Sequence, residues 1–165
     1  MTNYITIRGT TYELVSTYYE NGNIKSEECF FGGEKDGPSK YYHENGKLSV
    51  KANYRQEELY GEKTYYNENG TLVGKECYDF GKKEGKQYYY YDNGLLKKEE
   101  NIGFWGEDHI NYYETGNIRS KIEYENGIKK SVELYHENGE IKSHVWYKNG
   151  EVELRSDYDE NGKRI

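Results

Sequence analysis

The sequence predicts an all-β fold, an elongated, twisted, single antiparallel sheet of tandem β-hairpin repeats, and three observations carry that reading. A glycine returns at Gly22, Gly46, Gly70, Gly94, Gly116, Gly139 and Gly162, at intervals of 24, 24, 24, 22, 23 and 23 residues. Four residues before each stands a tyrosine: Tyr18, Tyr42, Tyr66, Tyr90, Tyr112, Tyr135 and Tyr158. Two residues after each comes Ile24, Leu48, Leu72, Leu96, Ile118 or Ile141, and only the last copy breaks, with Arg164. A period in this range marks an array in which each unit covers its neighbour, and a polar final copy suits a terminal cap.

Composition fits a sheet with a thin, wet core. Ile, Leu, Val and Phe number 28 of 165 residues, and the net charge is -7, a balance that usually signals disorder. Twenty-one tyrosines point the other way, because each ring buries apolar area while its hydroxyl stays in water. One proline and 19 glycines suit many short strands joined by turns.

Taken in order, residues 1–17 predict a capping hairpin, with Tyr4 to Arg8 and Thr11 to Val15 as its strands. Residues 18–165 form the array, in one domain with the cap. Within each copy the spacing selects the turn. A two-residue Asn-Gly loop would set Tyr66 across from Val73, whereas a three-residue Glu-Asn-Gly loop, a type I turn closed by a left-handed glycine, sets it across from Leu72. The second arrangement places both recurrent apolar residues on one face. Beyond the glycine, alternation predicts Leu48, Val50, Ala52 and Tyr54 on one face, with Lys47, Ser49, Lys51 and Asn53 on the other. The return turn reads as long in early copies, as in Phe80 to Gly85, and as a two-residue Asn149-Gly150 loop later. That short loop predicts Tyr147 opposite Val152, Val145 opposite Leu154 and Ile141 opposite Tyr158. Two strands per copy at ~4.8 Å each give a ribbon roughly 65 to 70 Å long.

The phrases from Tyr41 to Leu48 and from Tyr78 to Lys86 resemble the variant membrane-occupation-and-recognition-nexus (MORN) repeat of bacterial YwqK-type antitoxin proteins, over residues 18 to 162. The resemblance implies a non-catalytic antitoxin or immunity protein that binds and neutralises a toxin. It supplies no catalytic residue, only the scaffold of Tyr18, Gly22, Tyr42, Gly46, Tyr66, Gly70, Tyr90, Gly94, Tyr112, Gly116, Tyr135 and Gly139. The alternative within the wider repeat class is a structural scaffold or a peripheral membrane-associated protein.

The residues add no chemistry of their own. No Ser/His/Asp motif, phosphate-cradling glycine loop or metal-type Cys/His cluster occurs, so no enzyme, cofactor or metal is expected. His43 and His136 follow the repeat tyrosine while His109 and His144 do not, and all four read as structural. Cys29 and Cys77 read as reduced thiols, roughly 20 Å apart at strand spacing. The first thirty residues hold no basic start with an apolar run and no stretch reaches ~20 apolar residues, so the expectation is cytoplasmic. A sequence pI near 5.3 points away from nucleic acid and anionic membrane and towards a basic protein partner. Turn carboxylates Glu20, Glu44, Glu68, Asp92, Glu114, Glu137 and Glu160 would form an acidic row, equally suited to plain turn chemistry. The contact candidates are Phe104 and Trp105 in the aberrant return segment Gly103 to His109, the adjacent Glu107 and Asp108, and Trp146, which faces away from Val145. A monomer is favoured.

Overall fold

The computed structural model describes residues 3–103 and 106–165, which divide into two units, Met1–Lys83 and Glu84–Ile165. All regular structure in both units is β, and the paired strands are antiparallel. The first unit holds β1 (Asn3–Ile7), β2 (Thr10–Tyr18), β3 (Ile24–Phe31), β4 (Glu34–Tyr42), β5 (Leu48–Arg55), β6 (Glu58–Leu59), β7 (Gly61–Tyr66), β8 (Leu72–Asp79) and β9 (Lys82–Lys83). The second holds β10 (Gly85–Tyr90), β11 (Leu96–Gly103), β12 (Gly106–Tyr112), β13 (Ile118–Glu125), β14 (Ile128–Tyr135), β15 (Ile141–Lys148) and β16 (Glu151–Asp157).

The predicted turn is present in every copy. In the third, Gly70 N–H donates to Asn67 C=O at 2.8 Å, Asn67 N–H donates to Thr71 C=O at 3.0 Å, and Tyr66 is the cross-strand partner of Leu72. Gly70 has φ of 88°, a left-handed angle at which a Cβ would be strained. The same pairing joins Tyr18 to Ile24, Tyr42 to Leu48, Tyr90 to Leu96, Tyr112 to Ile118 and Tyr135 to Ile141. Even the degenerate seventh copy bridges Tyr158 to Arg164.

Beside this turn the alternation breaks. Tyr42 pairs with Leu48 but Tyr41 pairs with Val50, so one extra residue bulges between them. Tyr41 and Tyr42 are neighbours in a strand and face opposite ways. Leu48 therefore shares the face of Tyr42, here called the front, while Val50, Ala52 and Tyr54 lie on the back, which corrects the expected run of four on one face.

The return turns also differ from expectation. Two residues of positive φ, a type I′ pair, connect the strands in early and late copies alike: Gln56-Glu57 and Phe80-Gly81 as much as Asn126-Gly127 and Asn149-Gly150. Extra residues of longer copies enter just beyond the turn as bulges. The 24-residue interval from Gly22 carries two, between the pairs Phe30–Lys35 and Glu28–Ser39. The 23-residue interval from Gly116 carries one, between Tyr124–Lys129 and Glu123–Ser131. The 22-residue interval from Gly94 carries none. In the last hairpin, Tyr147 meets Val152 as expected, but the bulge sets Trp146 opposite Leu154 and Val145 opposite Arg155. Lys142 C=O, not Ile141, receives the Tyr158 N–H.

The core is thin and built largely of small residues, with Gln87 and Glu76 the large exceptions among the described residues. Among the described residues the buried hydrophobics are Cys29, Ala52, Val132 and Val145, beside buried Ser26, Ser39, Ser120 and Ser143. All but Cys29 lie on the back face, where neighbouring tyrosines flank them: Ser39 and Ala52 pair between the rows of Tyr41 and Tyr54. The recurrent Tyr and Ile/Leu residues are half-buried or, at Tyr18, exposed, so they clamp turns and do not form the floor of the core. Cys29 is a buried thiol.

Candidate partner-binding surface

Successive copies are riveted along the turn edge, which fixes what the strands between them can display. The residue after the repeat tyrosine reaches the next copy's tyrosine carbonyl: Tyr19 Oη donates to Tyr42 at 2.7 Å, Tyr91 to Tyr112 and Tyr113 to Tyr135 at 2.8 Å. His43 and His136 hold the same station, with Nε2 2.8 Å from Tyr66 O and 3.1 Å from Tyr158 O. The asparagine before the glycine acts twice. Asn45 Oδ1 accepts the Lys47 N–H at 3.0 Å while its Nδ2 donates to Glu68 C=O at 2.9 Å, and Asn138 repeats this towards Glu140 and Glu160. Where Thr115 replaces the asparagine, Asn117 Nδ2 supplies the bond to Glu137 C=O at 2.8 Å. The turn carboxylates are exposed.

The first unit's back face carries tyrosine–carboxylate clusters. In the first, Glu28 is paired with Lys35 and accepts Tyr41 Oη at 2.5 Å. Burial alone would raise the Glu28 carboxyl, yet the bonds from Lys35 and Tyr41 hold it below its usual range. Burial and the Glu28 carboxylate push Tyr41 well above an ordinary phenol. One repeat pair further on, Glu76 accepts from Tyr65 and Tyr78 and pairs with Lys83 at 2.5 Å. On the front, burial and the bond to Glu27 at 2.6 Å push Tyr42 up to about 12. These groups are saturated by one another and hold strands together.

Five segments of the chain, residues 14–31, 35–56, 59–79, 83–102 and 108–126, match the MORN repeat variant, and together they cover more than half of it. The chain belongs to that family. No curated protein matches it. The MORN repeat variant match ends at residue 126, while the same turn recurs at Gly139 and Gly162. Repeat arrays of this kind serve protein interaction, which needs an exposed surface not consumed in joining strands.

The second unit's front face has one. Cross-strand pairing sets Asp108 beside Glu123, Glu123 beside Ser131, Ser131 beside Trp146 and Trp146 beside Leu154, a transverse row over β12 to β16. Asp108 and Glu123 are exposed, Trp146 is 36% and Leu154 53% exposed. The adjoining row runs Lys121, Glu133, His144, Ser156. There His144 Nε2 lies 2.5 Å from Glu133 Oε1, Tyr135 Oη donates to Glu133 Oε2 at 2.5 Å, and the His144 ring packs on Trp146 with centroids 4.7 Å apart. Trp146 is thus held by its neighbours with a face left open.

Two of the residues singled out from sequence, Asp108 and Trp146, meet in this row. Glu107 does not: it points to the back, with His109 Nε2 3.7 Å from its carboxylate and 3.5 Å from that of Glu100. Phe104 and Trp105 lie outside the described residues. Sequence reasoning missed Glu123, Ser131 and Leu154, because Leu154 enters the row only through the bulge beside Tyr147. The one-residue difference between 22- and 23-residue intervals was the signal that could have placed it. Among the described residues no group of three metal-type ligands occurs.

Proposed function

We propose that this chain is a non-catalytic antitoxin or immunity protein of the YwqK type, acting in the cytoplasm as a monomer and neutralising a basic toxin by covering it. The observation that carries the reading is the row from Asp108 through Glu123 and Trp146 to Leu154: two exposed carboxylates leading to an exposed aromatic and an aliphatic anchor. Interfaces use such anchors for affinity, and surrounding charge for steering and choice of partner. A net charge of -7 favours a basic partner, and toxins that grip nucleic acid present basic clefts. The resemblance of the repeat phrases to antitoxin proteins supports the biological role, and Phe104, Trp105 and Glu107 remain contact candidates.

The test is affinity capture from the native host with the full chain as bait, alongside Trp146→Ala. Recovery of a basic enzyme, lost with the variant and inhibited by the wild type in its own assay, supports the proposal. Recovery only of non-toxic assembly proteins, or of the same set by both baits, overturns it in favour of a scaffold.

A further inference from the structure

The first unit contains a concavity of about 750 Å³ between the β1–β2 turn and strands β4 and β5. Its lining carries three cations, Arg8, Lys51 and Arg55, against one carboxylate, Asp36. That balance inverts the sign of the molecule, whose net charge is -7. The single carboxylate is partly spent, because Asp36 Oδ2 accepts the Gln56 N–H at 3.2 Å. A locally positive hollow in an acidic protein concentrates small anions there.

The walls add a second requirement. The Arg55 guanidinium lies over the Tyr60 ring at 5.4 Å and over Phe80 at 5.7 Å, so aromatic contacts hold this planar cation in the wall. The Tyr12 ring lines the hollow next to Gly37, where an added Cβ would come within 3.1 Å of it. Gly37 thereby lets the ring lie close against the sheet. Aromatic walls beside cations suit a ligand that pairs an anionic group with a planar ring, and the volume falls in the usual range for small-molecule sites.

The adjoining backbone is strained. Arg8 has φ of 49°, and the turn after Arg55 puts two non-glycine residues, Gln56 and Glu57, at 50° and 68°. Asn or Gly would satisfy each of these positions at lower cost. Strain kept beside a charged hollow is the pattern of a binding site.

We propose that this concavity binds a small phosphate-bearing molecule with an aromatic ring, of the nucleoside diphosphate class, its phosphates on Arg8, Lys51 and Arg55 and its ring against Tyr12 or Tyr60. The site is independent of the toxin-facing row and stands whether or not that reading does.

Calorimetric titration of the full chain with ADP, pyrophosphate and adenosine tests it. ADP binds most tightly, pyrophosphate less and adenosine least, and added salt weakens the first two. Arg8→Asn removes a cation while relieving its backbone, so the fold is kept and ADP affinity falls by about tenfold. Lys51→Gln does the same, Asp36→Asn, which keeps an acceptor for Gln56, tightens binding, and Arg119→Gln in the other unit changes nothing. Absence of ADP and pyrophosphate binding at millimolar concentration, or equal binding by the Arg8 and Lys51 variants, overturns the site. Pyrophosphate binding as tight as ADP overturns its nucleoside part.

Discussion

Asp108 and Trp146 lie three strands apart in a single row of cross-strand partners, roughly 14 Å from one another, with Glu123 and Ser131 between them. Neither residue is needed to close a strand or a turn. Trp146→Ala and Asp108→Lys should each leave thermal stability within about 0.5 kcal/mol of wild type. Against the captured partner, Trp146→Ala raises the dissociation rate, whereas Asp108→Lys mainly slows association and reduces its salt dependence. Surface plasmon resonance at two salt concentrations reads both. A melting temperature that drops sharply for Trp146→Ala would assign the indole to the fold instead.

The buried back-face row makes the opposite prediction. Val145 is 7% exposed and pairs with Val132, so Val145→Ala should cost about 1 to 2 kcal/mol in urea unfolding. Ser39 is fully buried, and among the described residues its Oγ has no hydrogen-bond partner. Ser39→Ala removes a desolvated hydroxyl next to Ala52 and should stabilise by about 1 kcal/mol. Loss of stability on that change would mean the hydroxyl is satisfied in solution.

Much of this architecture was legible in the spacing. The distance from Tyr66 to Gly70 to Leu72 admits one hairpin geometry that keeps two apolar residues on one face, and the structure has it. What spacing could not convey was the bulge. Leu48, Val50 and Ala52 alternate perfectly as letters, but one extra residue opposite Tyr41 and Tyr42 sends Leu48 to the front and the other two to the back. The same device moved Leu154 from Val145 to Trp146 and so hid the outer end of the exposed row. Asp108 and Trp146 were visible individually because charge and aromatic area show in composition. Their common row depends on summed bulges across four strands, which single-strand periodicity does not encode.

The Gln56-Glu57 turn offers a stabilising change. Both residues sit at positive φ, 50° and 68°, between the pairs of β5 and β6. Gln56→Asn with Glu57→Gly gives the sequence this turn type favours and keeps the backbone bonds from Gln56 to Asp36 and from Glu57 to Lys35. The double variant should gain about 1 kcal/mol, seen as a raised melting temperature. If the turn is strained for the sake of the neighbouring cationic hollow, the same variant binds ADP less well while being more stable. An unchanged melting temperature would show that the strain is absent in solution.

Acid sensitivity should concentrate at Glu133. Burial tends to raise its carboxyl, but the hydrogen bonds from Tyr135 and His144 and the charges of His144 and Lys121 hold it below the ordinary value of 4.5. A carboxylate with a lowered folded-state value contributes stability that is complete above the unfolded value and is lost as pH falls through the folded one. Protonation removes the acceptor that Tyr135 and His144 share and frees the His144 ring packed at a tilt against Trp146. Melting temperatures measured from about pH 7 down to about pH 3 should therefore fall more steeply below about pH 4.5 in the wild type than in Glu133→Gln. Because Glu133 is partly exposed, added salt should narrow the difference between the two curves. Parallel curves for the two proteins would place the acid-sensitive carboxylate elsewhere, with Glu28 the next to substitute, since it is held low in the same way by Lys35 and Tyr41 against its burial.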